Sequence, residues 1–117
     1  MEPHLSDHDV CFGSRIPVYT DNLKRFQIVV FHKEDQYFVK RIIGLPGETI
    51  EIKQGIIYVN HEPLKDNYKK ESFSTNMSPT ICGDDTYFVL GDNRNNSIDS
   101  RNFGVIHKKD IYCVLFS

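Results

Sequence analysis

The chain has 117 residues, enough for one domain with a real core and too few for two. A formal charge of −2 gives no basic footprint, so nucleic acid is not expected as a partner. The 26% charged and 39% hydrophobic fractions are those of an ordinary globular protein, and no apolar run approaches the roughly 18 residues of a membrane span.

In chain order the pattern is all-β with little helix. Residues 10–12 and 16–19 are short strand candidates on either side of Gly13-Ser14. Residues 27–32 form a clear apolar strand, and Lys33-Glu34-Asp35-Gln36 turns it directly into a second strand over 37–44. Residues 49–52 and 56–59 make another hairpin around Lys53-Gln54-Gly55, expected as a three-residue loop with Gly in a left-handed position. Residues 60–85 are polar, carry Pro63 and Pro79, hold no sustained period, and are expected as a long excursion or small flap. Strands resume at 86–90, 103–106 and 111–116, with a polar loop between the first two. Many short strands with frequent turns predict one domain over 1–117. Its antiparallel sheets are expected to form a partly open barrel or sandwich.

Two features carry chemistry. The first is Lys40, which alternation places on one strand face with Phe38 and Ile42. If that face is inner, the amine is desolvated; burial disfavours the charged form of an amine, and a lysine held neutral can act as a general base. If the face is wet, Lys40 only discourages edge-to-edge pairing. The second is the loop Gly91-Asp92-Asn93-Arg94-Asn95-Asn96-Ser97-Ile98-Asp99-Ser100-Arg101-Asn102-Phe103-Gly104. Its Asn, Asp and Ser residues brace their own main chain. Asp99 and Arg101 are spaced for an ion pair, and the Ser97 hydroxyl is suited to accept from an amine. The same composition also fits a well-capped Ω-like loop with no further role.

Other chemistry finds little footing. Cys11, Cys82 and Cys113 form no Cys-x-x-Cys pair and read as free thiols with room for one bridge. His4 and His8 have i, i+4 spacing but lie beside Pro3, so no metal and no cofactor are expected.

The residues match a family. Phe38-Val39-Lys40-Arg41-Ile42-Ile43-Gly44-Leu45-Pro46-Gly47-Glu48 resembles the lysine box of bacterial type I signal peptidases. Tyr87-Phe88-Val89-Leu90 with residues 91–104 resembles their Gly-Asp-Asn…Ser-x-Asp-Ser-Arg box. Ile56-Ile57-Tyr58-Val59-Asn60 is similar to the segment between the boxes, and Phe26-Gln27-Ile28-Val29-Val30-Phe31 to the strand usually written Gly-Asp-Ile-Val-Val-Phe. Met1-Glu2-Pro3-His4-Leu5 resembles the tail of the nucleophile box Ser-Met-x-Pro-Thr-Leu. All these segments stand in the family's order.

The resemblance implies a Ser-Lys endopeptidase that removes signal peptides from exported preproteins after small residues. It implies Lys40 as general base and Ser97 as the hydroxyl that orients its amine. Asp99, Arg101, Asp92 and Asn93 would support the site, and Met1 and Pro3 would line the substrate groove. It also implies a fold of the signal-peptidase type with a reduced or absent cap domain. A membrane anchor upstream would hold the catalytic domain on the extracytoplasmic side of the cell membrane.

Departures accompany the match. The nucleophilic serine is expected immediately before Met1, so the chain as written is expected to cleave nothing. His4 stands where threonine is usual, and Phe26-Gln27 where Gly-Asp is usual. Met77-Ser78-Pro79-Thr80-Ile81 mimics the nucleophile box, with Asn76 in the serine position, but falls in the wrong chain order. An alternative is a non-catalytic signal-peptidase-like accessory or chaperone protein in the assembly of exported proteins. Self-cleaving repressors share a related Ser-Lys fold, but the chain shows neither the cleavage site nor the DNA-binding segment they need.

Overall fold

Runs of β-branched and aromatic residues, broken by tight turns, build two antiparallel sheets. The computed structural model describes residues 13–14, 23–69 and 71–115. In chain order the strands are β1 (Gly13–Ser14), β2 (Ile28–Lys33), β3 (Gln36–Gly44), β4 (Thr49–Lys53), β5 (Ile56–Val59) and β6 (Glu62–Pro63), then β7 (Met77–Ile81) and β8 (Thr86–Leu90). A short helix α1 (Ser100–Phe103), β9 (Ile106–His107), a 3-10 turn (Lys108–Asp110) and β10 (Ile111–Leu115) follow. One sheet has the order β1-β10-β2-β3-β8-β9 and the other β6-β5-β4-β7. Among the described residues the sheets form no closed barrel. The strand candidates at residues 10–12 and 16–19 lie outside the described residues.

Turn chemistry sets the hairpins. Glu34 and Asp35 join β2 to β3 with φ of 51° and 62°, and Gln54 and Gly55 join β4 to β5 with φ of 50° and 78°. Two consecutive positive φ values mark the turn whose twist matches the strands it connects. Lys53 pairs with Ile56, so this second loop has two residues and not the expected three.

Strands β3 and β8 form a wall shared by two cores. Val29, Phe31, Ile42 and Val89 pack on one side; Ile43, Ile50, Ile52, Phe88 and Leu90 pack on the other. Every residue of β8 is buried, which accounts for the apolar run Tyr87-Phe88-Val89-Leu90. Gly44 lets the sheets meet: a Cβ there would lie 2.7 Å from Ile50 Cγ1 and 2.9 Å from Phe88 Cβ. The ladder between β3 and β8 shifts register at that point.

Two expectations are corrected. The 60–85 excursion contains β6 and β7, and β7 pairs with β4 in register Thr49↔Ile81 and Ile50↔Thr80. Pro79 hides this strand in the sequence; it is tolerated because β7 is an edge and the ladder shifts around it. Met77-Ser78-Pro79-Thr80-Ile81 is therefore a structural edge strand. The expected strand over 103–106 begins instead as the end of α1. Asp99 caps that helix, its carboxylate accepting from the Arg101 amide while Asn102 Oδ1 accepts from the Asp99 amide, and Gly104 at φ 83° stops it.

Glu48 and Arg25 fasten the turn after β3. Arg25 donates two parallel hydrogen bonds to the Glu48 carboxylate, each 2.7 Å, and a third to the Ile43 carbonyl at 2.9 Å. Burial pushes the Glu48 carboxyl up, but the hydrogen bonds from Arg25 and the Leu45 amide, with the Arg25 charge, outweigh it and hold the group below its usual range. Cys82, a free buried thiol, is pushed up to about 11 by burial and then by the Glu48 charge, so it is a poor nucleophile at neutral pH. Cys113 is disulfide-bonded.

Phe26 holds a backbone position that suits glycine, with φ of 73°. The Phe26 amide donates to the Ile42 carbonyl at 2.7 Å, the Phe26 carbonyl accepts from Arg41 at 2.8 Å, and the ring lies 4.9 Å from that of Tyr68. These contacts hold a conformation that costs a β-carbon residue about 1 kcal/mol.

Two stability predictions follow from these two sites. Phe26→Gly and Phe26→Ala both lose the ring, but only Gly relieves the backbone, so the Gly variant should be the more stable by about 1 kcal/mol in urea denaturation. An Ala variant of equal or greater stability contradicts the left-handed assignment. A carboxyl lowered on folding contributes stability that is present above its unfolded value of about 4.3 and is lost as pH falls through the lower folded value. Glu48→Gln should therefore flatten the acid limb of the stability–pH curve below about pH 4.3, as read by denaturant midpoints. An unchanged limb would show that the pair contributes nothing there.

Candidate active site

Lys40 lies in β3 opposite Val29 of β2 and is 2% exposed. The wet-face reading of this residue therefore fails, because the amine is inside. Its Nζ donates to Ser97 Oγ at 3.1 Å. Fifty-seven residues separate the two groups in the chain, so the contact depends on the fold.

The connection runs through β8. Gly91 follows the last residue of β8 directly, next to the Arg41–Leu90 pair, which brings it alongside Lys40. Ser97 folds back onto Gly91 so closely that a Cβ there would fall 2.1 Å from Ser97 Oγ and 3.5 Å from Lys40 Nζ. Only a residue without a side chain can seat the hydroxyl there.

Buried polar groups fix the loop in this return. Asp99, fully buried, accepts from the Gly91 amide at 3.1 Å and from Arg101 Nε and Nη2 at 2.9 and 2.8 Å. Ser100 Oγ accepts from the Val89 amide at 2.9 Å. No buried side-chain nitrogen or oxygen among the described residues lacks a hydrogen-bond partner. Unpaired polar atoms at this depth would each cost about 1–3 kcal/mol, so full pairing favours a single loop geometry.

Asp92 makes two hydrogen bonds with Arg41, at 2.9 and 2.8 Å. Since Arg41 follows Lys40 and Asp92 follows Gly91, this pair ties the two segments beside the amine. Asn93 is exposed. Met1 and Pro3 lie outside the described residues. The structure thus brings Lys40, Ser97, Asp99, Arg101 and Asp92 together, and leaves Asn93 at the surface.

Sequence reasoning missed four participants. Arg94 is buried, donating from Nε to the Gly91 carbonyl at 2.6 Å and from its far end to Asp66. Phe73 is buried beside it. Tyr68 lies over the Arg41 guanidinium, 3.9 Å from ring centroid to Cζ. Asp66, Tyr68 and Phe73 come from the segment read as a polar excursion, where no periodicity marks them; the sole signal was an arginine inside an otherwise uncharged-to-acidic loop tip.

Among the described residues no group of three or more His, Cys, Asp or Glu side chains could hold a metal ion, and no helix is long and apolar enough to cross a membrane. A buried amine against a hydroxyl, on a rigid strand with a braced loop, can transfer a proton to or from a third group brought within reach.

Comparison with known proteins places the whole chain beside one family. The family model "Signal peptidase, peptidase S26" matches residues 1–116. The chain is 41% identical over 122 residues to signal peptidase I of Bacillus amyloliquefaciens, covering 95% of this chain and 66% of that protein. It is 37% identical over 123 residues to signal peptidase I S of Bacillus subtilis strain 168, covering 95% and 67%. The chain spans about two thirds of the length of these curated relatives. The crystal structure of a signal peptidase I from Enterococcus faecalis V583 superposes with a TM-score of 0.71 at 32% identity, covering 80% of this chain and 97% of that one.

The close seat at Gly91 is directly testable. Gly91→Ala should push Ser97 Oγ beyond about 3.5 Å from Lys40 Nζ in a crystal structure of the variant. It should also destabilise the fold by about 1–3 kcal/mol through overpacking. An unchanged Lys40–Ser97 distance would show that the loop yields without cost.

Proposed function

The chain belongs to the signal peptidase family S26, and on that footing we propose that it performs signal-peptide cleavage by a Ser-Lys mechanism. Its substrates are exported preproteins, cut after small residues. The observation that carries this reading is the buried Lys40 amine, 3.1 Å from the Ser97 hydroxyl.

In this scheme the nucleophile is the serine that the family places immediately before Met1. Its hydroxyl attacks the scissile carbonyl. Lys40, in its neutral form, takes the hydroxyl proton and returns it to the leaving amine as the acyl-enzyme forms. Water then hydrolyses the ester, with the same amine acting again as base. Ser97 Oγ fixes the direction of the Lys40 amine, and Asp99 and Arg101 hold Ser97 in place. Asp92, through Arg41, steadies the strand next to Lys40, and Asn93 turns the exposed side of the loop, its carbonyl accepting from the Asn96 amide at 3.1 Å. The signal peptide binds as an extended strand, with Met1 and Pro3 along its groove. Residues 1–117 act as one catalytic domain, and an anchor upstream holds it on the extracytoplasmic face of the cell membrane. The scheme calls for no cofactor.

The test uses a chain extended upstream through the serine, with a synthetic signal-peptide substrate. Lys40→Ala and Lys40→Arg should each lower kcat/KM by roughly 100-fold or more, since a general base contributes that much. Arginine keeps the positive charge but is never neutral at working pH, so it cannot take the proton. Full cleavage by the arginine variant would refute the role given to Lys40.

A further inference from the structure

Between β6 and β7 the described residues 64–69 and 71–76 cross the 91–104 loop as a strap, fastened at both ends. Leu64 N donates to the Ile57 carbonyl at 2.7 Å, and the Thr75 carbonyl accepts from the Gly55 amide at 3.0 Å. The strap is therefore anchored on the second sheet, while its middle reaches the site on the first. Three arginines receive it. Arg41 lies under the Tyr68 ring, Arg101 donates to Thr75 Oγ1 at 3.1 Å, and Arg94 donates to the Asp66 carboxylate through both terminal nitrogens. The Phe73 ring lies within 6 Å of two of them, its centroid 5.5 Å from Arg94 Cζ and 5.8 Å from Arg101 Cζ.

Of these, the Asp66–Arg94 pair has the most direct route to the reacting groups. The Arg94 side chain is 0% exposed and that of Asp66 8%. The other end of the same guanidinium, Nε, holds the Gly91 carbonyl, and Gly91 is the seat of Ser97 Oγ with Lys40 Nζ beside it. Arginine keeps its charge at any working pH, so a buried guanidinium depends on its carboxylate. If Asp66 loses its charge, Arg94 must turn toward water or pull other acceptors inward. Either movement releases the Gly91 carbonyl.

We propose that Asp66 is a positioning residue for the Ser-Lys site: through Arg94 it fixes the Gly91 peptide and so sets the contact between Lys40 and Ser97. This rests on the functional reading above. The strap thereby makes the second sheet part of the catalytic geometry.

The test has two arms, with Asp66→Asn and Asp66→Glu. In the first, which needs no activity, amide NMR spectra of the chain are compared. Asp66→Asn should move the Gly91 and Ser97 signals and leave Val29 and Val30 of β2 in place as witnesses that the fold is kept. Asp66→Glu, which keeps the charge, should move them less. In the second arm, the chain extended through the serine is assayed on a signal-peptide substrate. Asp66→Asn should lower kcat by about 100-fold with KM held within about twofold, as for a small misplacement of catalytic groups, and Asp66→Glu should recover most of the rate. Gly91 and Ser97 signals that stay put in a folded Asp66→Asn variant overturn the proposal. So does an unchanged kcat, which would make Asp66 purely structural. Should Asp66→Asn fail to fold, Asp66→Glu decides: Gly91 and Ser97 signals and kcat that change in proportion, however little, support the proposal, and a change in either one without the other overturns it. An unsubstituted extended chain that cleaves nothing counts against the functional reading; the linkage from Asp66 to Gly91 is then still decided by the NMR arm.

Discussion

A lysine amine taken out of water imposes the constraint on which the rest of this structure depends. Lys40 stands on the central strand of the larger sheet, on the face that carries Phe38 and Ile42, where water cannot supply its hydrogen bonds. The protein meets that demand with Ser97 Oγ, brought from the far side of a loop. Everything near the site serves that delivery. Gly91 leaves room for the hydroxyl, Asp99 holds the Gly91 amide, and Arg94 holds the Gly91 carbonyl. Loop rigidity is bought with buried charges, each paired and hydrogen-bonded.

The two sheets divide the labour. Strands β3 and β8 carry the amine and the loop, and their register fixes the distance between them. The smaller sheet packs behind that wall and carries the strap. Burial of Ile43, Ile50, Phe88 and Leu90 between the layers therefore stabilises the fold and holds Lys40 and Gly91 at a constant spacing. Phe26 shows the same economy at a smaller scale. A residue that strains its own backbone is kept where its carbonyl receives Arg41, the neighbour of Lys40, and its ring meets Tyr68 of the strap.

Much of this was legible in the sequence, for physical reasons that are specific. The hairpin of β2 and β3 could be read because both strands are long, apolar and joined by a polar turn. The loop could be read because Asp, Asn and Ser at 92–102 are cap formers, and Lys40 because a charge in a strand of large apolar residues is conspicuous. Other parts could not be read. β7 carries Pro79 and two hydroxyl residues, Ser78 exposed and Thr80 half-buried, so nothing in its pattern says strand; it is defined by pairing with β4. Phe103 favours a strand by type, and the cap made by Asp99 and Asn102 overrides it. The strap is invisible because its key residues, Asp66, Tyr68 and Phe73, act singly on partners about 20 to 30 positions away, and contacts of that range leave no period.

The central claim is that the buried amine activates a serine. The most direct measurement is rapid-quench mass spectrometry on the chain extended upstream through that serine, mixed with excess signal-peptide ester. The account predicts that acyl adduct builds up on the serine within the first turnover. It also predicts no adduct with Lys40→Met, which keeps the length and the packing but has no amine. Acylation of the methionine variant at an undiminished rate would contradict it.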